Sequence, residues 1–176
     1  MGNSPLPARV KTHYYDNMLK SDTLQLEMFK GFTQEELDDL KTIIECRQYS
    51  AGETILCQNE RADYLYIVVN GEVEILHVPY DGPQLSVGKL SSGGVFGWSS
   101  ILGRRVYSSS VIVISDCTVY CILGDKLQRF CELHHETGVV LLEKIALSVA
   151  QQPAQIHEQI MHMISHAMSC REDDQS

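Results

Sequence analysis

Three consecutive serines, Ser108, Ser109 and Ser110, close a stretch that reads GGVFGWSSILGRRVYSSSV from Gly93 to Val111. A backbone turn at Gly93-Gly94, followed by Phe96-Gly97, lets the chain enter a short helix whose free N–H groups form a natural anion cradle. Gly97 lets the backbone approach a ligand closely. The hydroxyls of Ser99, Ser100 and the three later serines add hydrogen-bonding capacity. A loop of this kind is expected to set cations on its ligand, yet the stretch holds only Arg104 and Arg105, in mid-loop. The chemistry implied is recognition of a small anion. No His or Asp stands at a recognisable spacing from these serines, so no catalytic residue is assigned and enzyme function is not expected.

A second group lies near the C-terminus. Glu158, His162, His166 and Cys170 recur every four residues, which puts metal-ligand types on one helical stripe. A single helix rarely completes a tetrahedral shell, so the stripe is read as a solvated face and no metal is assigned; the alternative is a metal bridging a dimer. His134-His135 is read as surface. The six cysteines are irregularly spaced, and none forms a CxxC pair. They are read as small buried apolar residues.

These groups need elements to hold them. Residues 1–23, with Pro5 and Pro7, form an arm or short leading helix. Thr33 with Glu36 three residues on is a capping box, and Leu37, Leu40 and Ile44 at helical spacing predict a short helix behind it. Brief β-rich runs follow, broken by turn residues. Asn70-Gly71, between LYIVV and EVEIL, predicts a two-residue hairpin, and further strands are expected at LSVGKL, SSSVIVIS and TVYCIL. Short strands with frequent turns predict an antiparallel sandwich or barrel over 24–123. Helix is expected from Asp125 to a break at Pro153, then again over AQIHEQIMHMISHAM, so that 124–170 is helical and 171–176 a polar tail.

The chain has 176 residues, 44% hydrophobic and 21% charged, with a net charge of -9. An acidic chain without a long basic block is repelled by phosphate backbones, so no DNA partner is expected. No apolar run approaches the roughly 18 residues that a membrane span needs, and the N-terminus has no hydrophobic signal region. The expected location is the cytoplasm, with no membrane partner.

The order of short helix, glycine-punctuated barrel, small helix in the barrel and long terminal helices resembles the cyclic nucleotide-binding domain of the catabolite activator family. LEMFKGFTQEELDDL is similar to that family's entry helix, and YSAGETILCQNERADYLYIVVNGEVEI to its barrel signature; Gly52, Gly71 and Gly97 fall at its turn glycines. The resemblance, over roughly residues 24–150, implies a mainly β jelly-roll barrel (a double-stranded β-helix) with C-terminal helices, in a stand-alone member without a helix-turn-helix. It also implies a ligand site. Family members read a ribose hydroxyl with Glu and a cyclic phosphate with Arg, in F-G-E-x-A-L-L followed by R-A-A-T-V. Aligned without gaps, Phe96 and Gly97 match, but Trp98 stands at the Glu position and Tyr107 at the Arg position. A gap of two residues would bring Arg105 to the Arg position, at the cost of the match over Ser108 to Ser110.

Two readings remain. In the first, the domain is a sensory module for a small anionic ligand such as a nucleotide, with changed specificity, and it signals through its C-terminal helices. In the second, Trp98 and Tyr107 plug the pocket of a ligand-independent interaction module with a protein partner. Trp98 either stacks on a base or fills the cavity. The apolar stripe of Ile156, Ile160, Met163, Ile164 and Ala167 predicts a homodimer through the last helix, with a return onto the barrel as the alternative.

Overall fold

The structure, a computed structural model, describes residues 26–80 and 82–150. The arm, the tail and the last helix, with its stripe from Ile156 to Ala167 and with His162, His166 and Cys170, lie outside the described residues. Among those described, no helix is long and apolar enough to cross a membrane.

After a 3-10 turn at Glu27–Phe29, helix α1 spans Gln34–Lys41. It starts as expected: the Glu36 N–H donates to Thr33 Oγ1 at 3.3 Å, and the Thr33 N–H donates to Glu36 Oε2 at 2.7 Å. Its end differs from the expectation. Thr42 Oγ1 donates to the Asp39 carbonyl at 2.6 Å, closing the last turn, and Ile44 opens a strand instead of continuing the helical face. The β-branched run Thr42-Ile43-Ile44 favours that change.

The strands are β1 (Ile44–Tyr49), β2 (Thr54–Leu56), β3 (Tyr64–His77), β4 (Leu85–Leu90), β5 (Val95–Phe96) and β6 (Ser110–Leu123). They form one antiparallel sheet in the order β1-β6-β3-β4, with β2 also on β6 and β5 on β3. The sheet rolls on itself in the jelly-roll manner without closing into a barrel. Both halves of β3 and of β6 supply one inner cluster, which includes Tyr66, Val68, Val73, Val111, Val119 and Cys121.

Two expected breaks are absent. Asn70-Gly71 makes no hairpin, because β3 runs through it with register shifts against β6 on either side. Gly71 alone takes a positive φ, 84°, whereas a primed turn needs it at both residues. The Asn70 carboxamide accepts the Thr118 N–H at 2.9 Å, so the pair is a bulge that bends a long strand. Likewise SSSVIVIS and TVYCIL are one strand. No residue between them has a positive φ, and Asp116 at their junction takes the Ala51 N–H on its carboxylate at 2.8 Å.

The predicted continuous helix is two, α2 (Gly124–Leu133) and α3 (His135–Ala150). His134 leaves the helical region at φ -119°, ψ 69°. Gly138 then allows α3 to return closely over α2, since a Cβ there would lie 2.7 Å from the Cys131 Cα. Leu127 and Phe130 of α2 join Leu141 and Ile145 of α3 in an outer cluster with Leu65, Ile67, Tyr120 and Ile122. The period of two along β3 and β6 thus feeds both cores.

Candidate functional site

The site begins where β5 ends. The Gly93 N–H donates to the Val68 carbonyl and the Val68 N–H to the Gly94 carbonyl, both at 2.9 Å, which seats the turn on β3. Phe96 is buried in the inner cluster and stacks on Tyr66, with ring centroids 5.0 Å apart. Gly97 then turns left-handed at φ 71°. No larger residue fits, because a Cβ would lie 2.6 Å from the Tyr64 carbonyl and 3.0 Å from the Tyr66 ring.

Trp98, Ser99 and Ser100 form the expected short helix, a single 3-10 turn. Trp98 does not enter the interior of the roll. It packs, half-buried, against the outer cluster of helices and sheet. Trp98 thus lies outside the inner cluster that holds Tyr107, and its contact is with the helical layer. Ser99 is buried, and Ser100 Oγ donates to the Gly97 carbonyl at 2.8 Å. The Ser100 carbonyl presses on Gly124 at the start of α2, where a Cβ would lie 2.6 Å away. From α3, Ser148 Oγ donates to the Gly93 carbonyl at 3.1 Å.

Arg104 and Arg105 are exposed. The Arg105 carbonyl accepts the Ala62 N–H at 3.0 Å, and the Tyr107 N–H donates to the Glu60 carbonyl at 2.9 Å, so 105–107 lies along the 59–62 loop. Tyr107 turns inward and is 5% exposed. Its hydroxyl accepts the Tyr64 N–H at 3.0 Å and donates to the Tyr64 carbonyl at 2.9 Å. Because β5 leaves the sheet at Gly97, Tyr64 lacks a neighbour there, and one phenol oxygen serves both of its backbone groups. Burial pushes the Tyr107 phenol up, against the lowering effect of the Tyr64 hydrogen bonds. Of the three serines, Ser110 Oγ accepts the Gln58 N–H at 2.9 Å, the Ser108 carbonyl lies 2.9 Å from His77 Nδ1, and Ser109 is half-buried. The loop thus gathers the predicted residues, but its two cations point outward and its inward side chain is a neutral phenol.

Sequence reasoning missed the cation on the inner face. Arg47 pairs with Val119, a member of the inner cluster, and directly opposed residues of a sheet share a face. Its guanidinium carbon lies 4.5 Å from the Tyr64 ring centroid, and Nη2 donates to Glu45 Oε2 at 2.7 Å. Burial disfavours the charge, but Cys121, Glu45, Tyr64 and Tyr49 around it hold the guanidinium above its ordinary value. Burial also pushes the Tyr49 and Tyr66 phenols up and the Cys121 thiol to about 12, so all three stay protonated near neutral pH. In the sequence the signal is faint. The alternation Ile44, Cys46 against Glu45, Arg47 assigns Arg47 to solvent until the sheet's curl is known.

The family model of the cyclic nucleotide-binding domain matches residues 46–134. The chain is similar to potassium channel AKT2 of Oryza sativa subsp. japonica, 29% identical over 116 residues, which are 66% of this chain and 14% of the channel. It is also similar to the cyclic AMP receptor protein of Thermus thermophilus, 21% identical over 145 residues, 80% of this chain and 67% of that protein. Among solved structures, one described as a cyclic nucleotide-binding protein of Geobacter metallireducens GS-15 aligns with a TM-score of 0.62 at 28% identity, covering 72% of this chain and 92% of that one. The chain thus spans a small part of the channel and most of the bacterial proteins.

Proposed function

The chain belongs to the cyclic nucleotide-binding domain family, and from that premise we propose that it is a non-catalytic regulatory module which binds a small anion with changed specificity and passes the event to its C-terminal helices. One observation carries this reading: the 93–100 segment touches both layers at once. Gly97 rests on the inner residues Tyr64 and Tyr66, while Trp98 packs on the outer cluster, Ser100 abuts Gly124 of α2, and Gly93 is bonded to Ser148 of α3. A ligand that draws this segment inward pulls on both helices, and it shifts their position if it binds one arrangement better than the other.

The changed specificity follows from Tyr107, which offers no charge to a cyclic phosphate. Cyclic AMP is expected to bind no tighter than about micromolar, a limit that corresponds to roughly 8 kcal/mol. A thermal-shift screen with cyclic AMP, cyclic GMP, cyclic dinucleotides and inorganic phosphate tests the reading. At about a hundredfold excess over Kd, a true ligand adds roughly 2.7 kcal/mol. Nanomolar cyclic AMP binding in calorimetry would sink the changed specificity. A flat response to every probe would favour the second reading, an interaction module with a filled pocket, which the double hydrogen bond of Tyr107 to Tyr64 supports.

The partner for signalling is proposed to be a second copy, joined through Ile156, Ile160, Met163, Ile164 and Ala167. Val139, Leu142 and Leu147 of α3 are exposed, Leu147 at 62%, and they would lengthen that apolar seam.

A further inference from the structure

We propose that Arg47 supplies the positive charge for an anionic ligand in this roll, from β1 instead of from the loop at position 107. The inference rests on the reading above that the domain binds an anion. Among the described residues, the other lysines and arginines either are exposed or, as with Lys41 and Lys144, sit on helices; Arg47 alone projects from a strand onto the inner face. Its side chain is 19% exposed, and its ion-pair partner, the Glu45 carboxylate, is 50% exposed.

Enclosing a charge costs desolvation, which an ion pair repays only with good geometry and further hydrogen bonds. Here the guanidinium is largely enclosed, while its counter-ion Glu45, on the same face of β1, is half exposed and joined to it by one bond. An entering anion can replace Glu45 at little cost, and the planar guanidinium can then grip phosphate or carboxylate through two parallel bonds. The site is continuous with the loop. Arg47 lies against Tyr64, whose backbone holds the Tyr107 hydroxyl and abuts Gly97. Tyr49 and Tyr66, protonated near neutral pH, lie on the same inner face.

The test uses the full chain, calorimetry at low ionic strength, and three probes: inorganic phosphate, AMP and cyclic AMP. Arg47→Gln should weaken binding of the best probe at least tenfold. Glu45→Gln should strengthen it, because it removes the competing carboxylate, and the double variant Arg104→Gln/Arg105→Gln should leave it unchanged. Wild-type affinity in a folded Arg47→Gln protein overturns the role of Arg47 while leaving anion binding intact. If Arg47→Gln does not fold, Glu45→Gln decides, and affinity unchanged from wild type overturns the proposal. Binding of no probe by the wild type or by Glu45→Gln refutes the anion-binding reading itself, and this inference with it.

Discussion

Removing a single oxygen from Tyr107 tests how the pocket is closed. In Tyr107→Phe the ring stays in the inner cluster, but the Tyr64 N–H and carbonyl lose their common partner, held at 3.0 and 2.9 Å. Each hydrogen bond contributes about 1 kcal/mol net, and a partly buried group left unpaired costs roughly 1 to 3 kcal/mol. Tyr107 is 5% exposed, so water cannot easily reach the vacated position. The expected loss is about 2 to 4 kcal/mol. In urea it should appear as a lower midpoint with an unchanged slope, because the surface exposed on unfolding hardly differs. In heating it should lower Tm by roughly 10 °C, at about 3 to 6 °C per kcal/mol for a domain of this size. A loss below about 0.5 kcal/mol would refute the reasoning, since it would mean that the phenol oxygen does not stand in for a missing strand neighbour.

Gly71→Ala should cost more than about 2 kcal/mol in the same urea experiment, because the residue sits at φ 84° and its new Cβ would lie 2.4 Å from that of Cys117. Thr137→Val should lower stability in a pH-dependent way. The Glu36 carboxyl is held below its ordinary value of 4.5, first by the 2.5 Å hydrogen bond from Thr137 and then by Thr33. A depressed folded pKa gives stability that is present above the unfolded value and lost as pH falls through the folded one. The gap between variant and wild type should therefore be widest at neutral pH and narrow below about pH 4.5. Sedimentation should show a dimer that Ile160→Glu converts to monomer with the roll still folded; a monomeric wild type at tens of micromolar would point to the helix returning on its own domain.

Local signals in the sequence were legible where local chemistry decides the structure. Thr33 and Glu36 announce the start of α1 because capping joins groups three residues apart. The turn at Gly97 and the short helix behind it could be read from FGWS. What escaped depended on residues far along the chain. Asn70-Gly71 has the composition of a hairpin, but its partner is Thr118 on β6, and that pairing turns a reversal into a bulge. Alignment to the family cassette sets Trp98 at the Glu position of the pocket, whereas in the fold its contact is with the helical side. Arg47 is not legible as an inner residue, because alternation along β1 says which residues share a face and not which face is the interior.

The place of β6 in the sheet bears on when the fold can form. It is the last strand among the described residues, and β1, β2 and β3 all pair with it, so Ile44 waits for Ile122 and Tyr49 for Cys117. Pairings so distant in sequence fold slowly, because each loop must close before its contacts give any return. A nascent chain that has not reached Leu123 holds β3 with β4 and β5 but leaves β1 and β2 unpaired. During synthesis the aromatic inner face and two strand edges thus stand open until the final strand emerges, and that interval is when the chain is most exposed to aggregation and to chaperones.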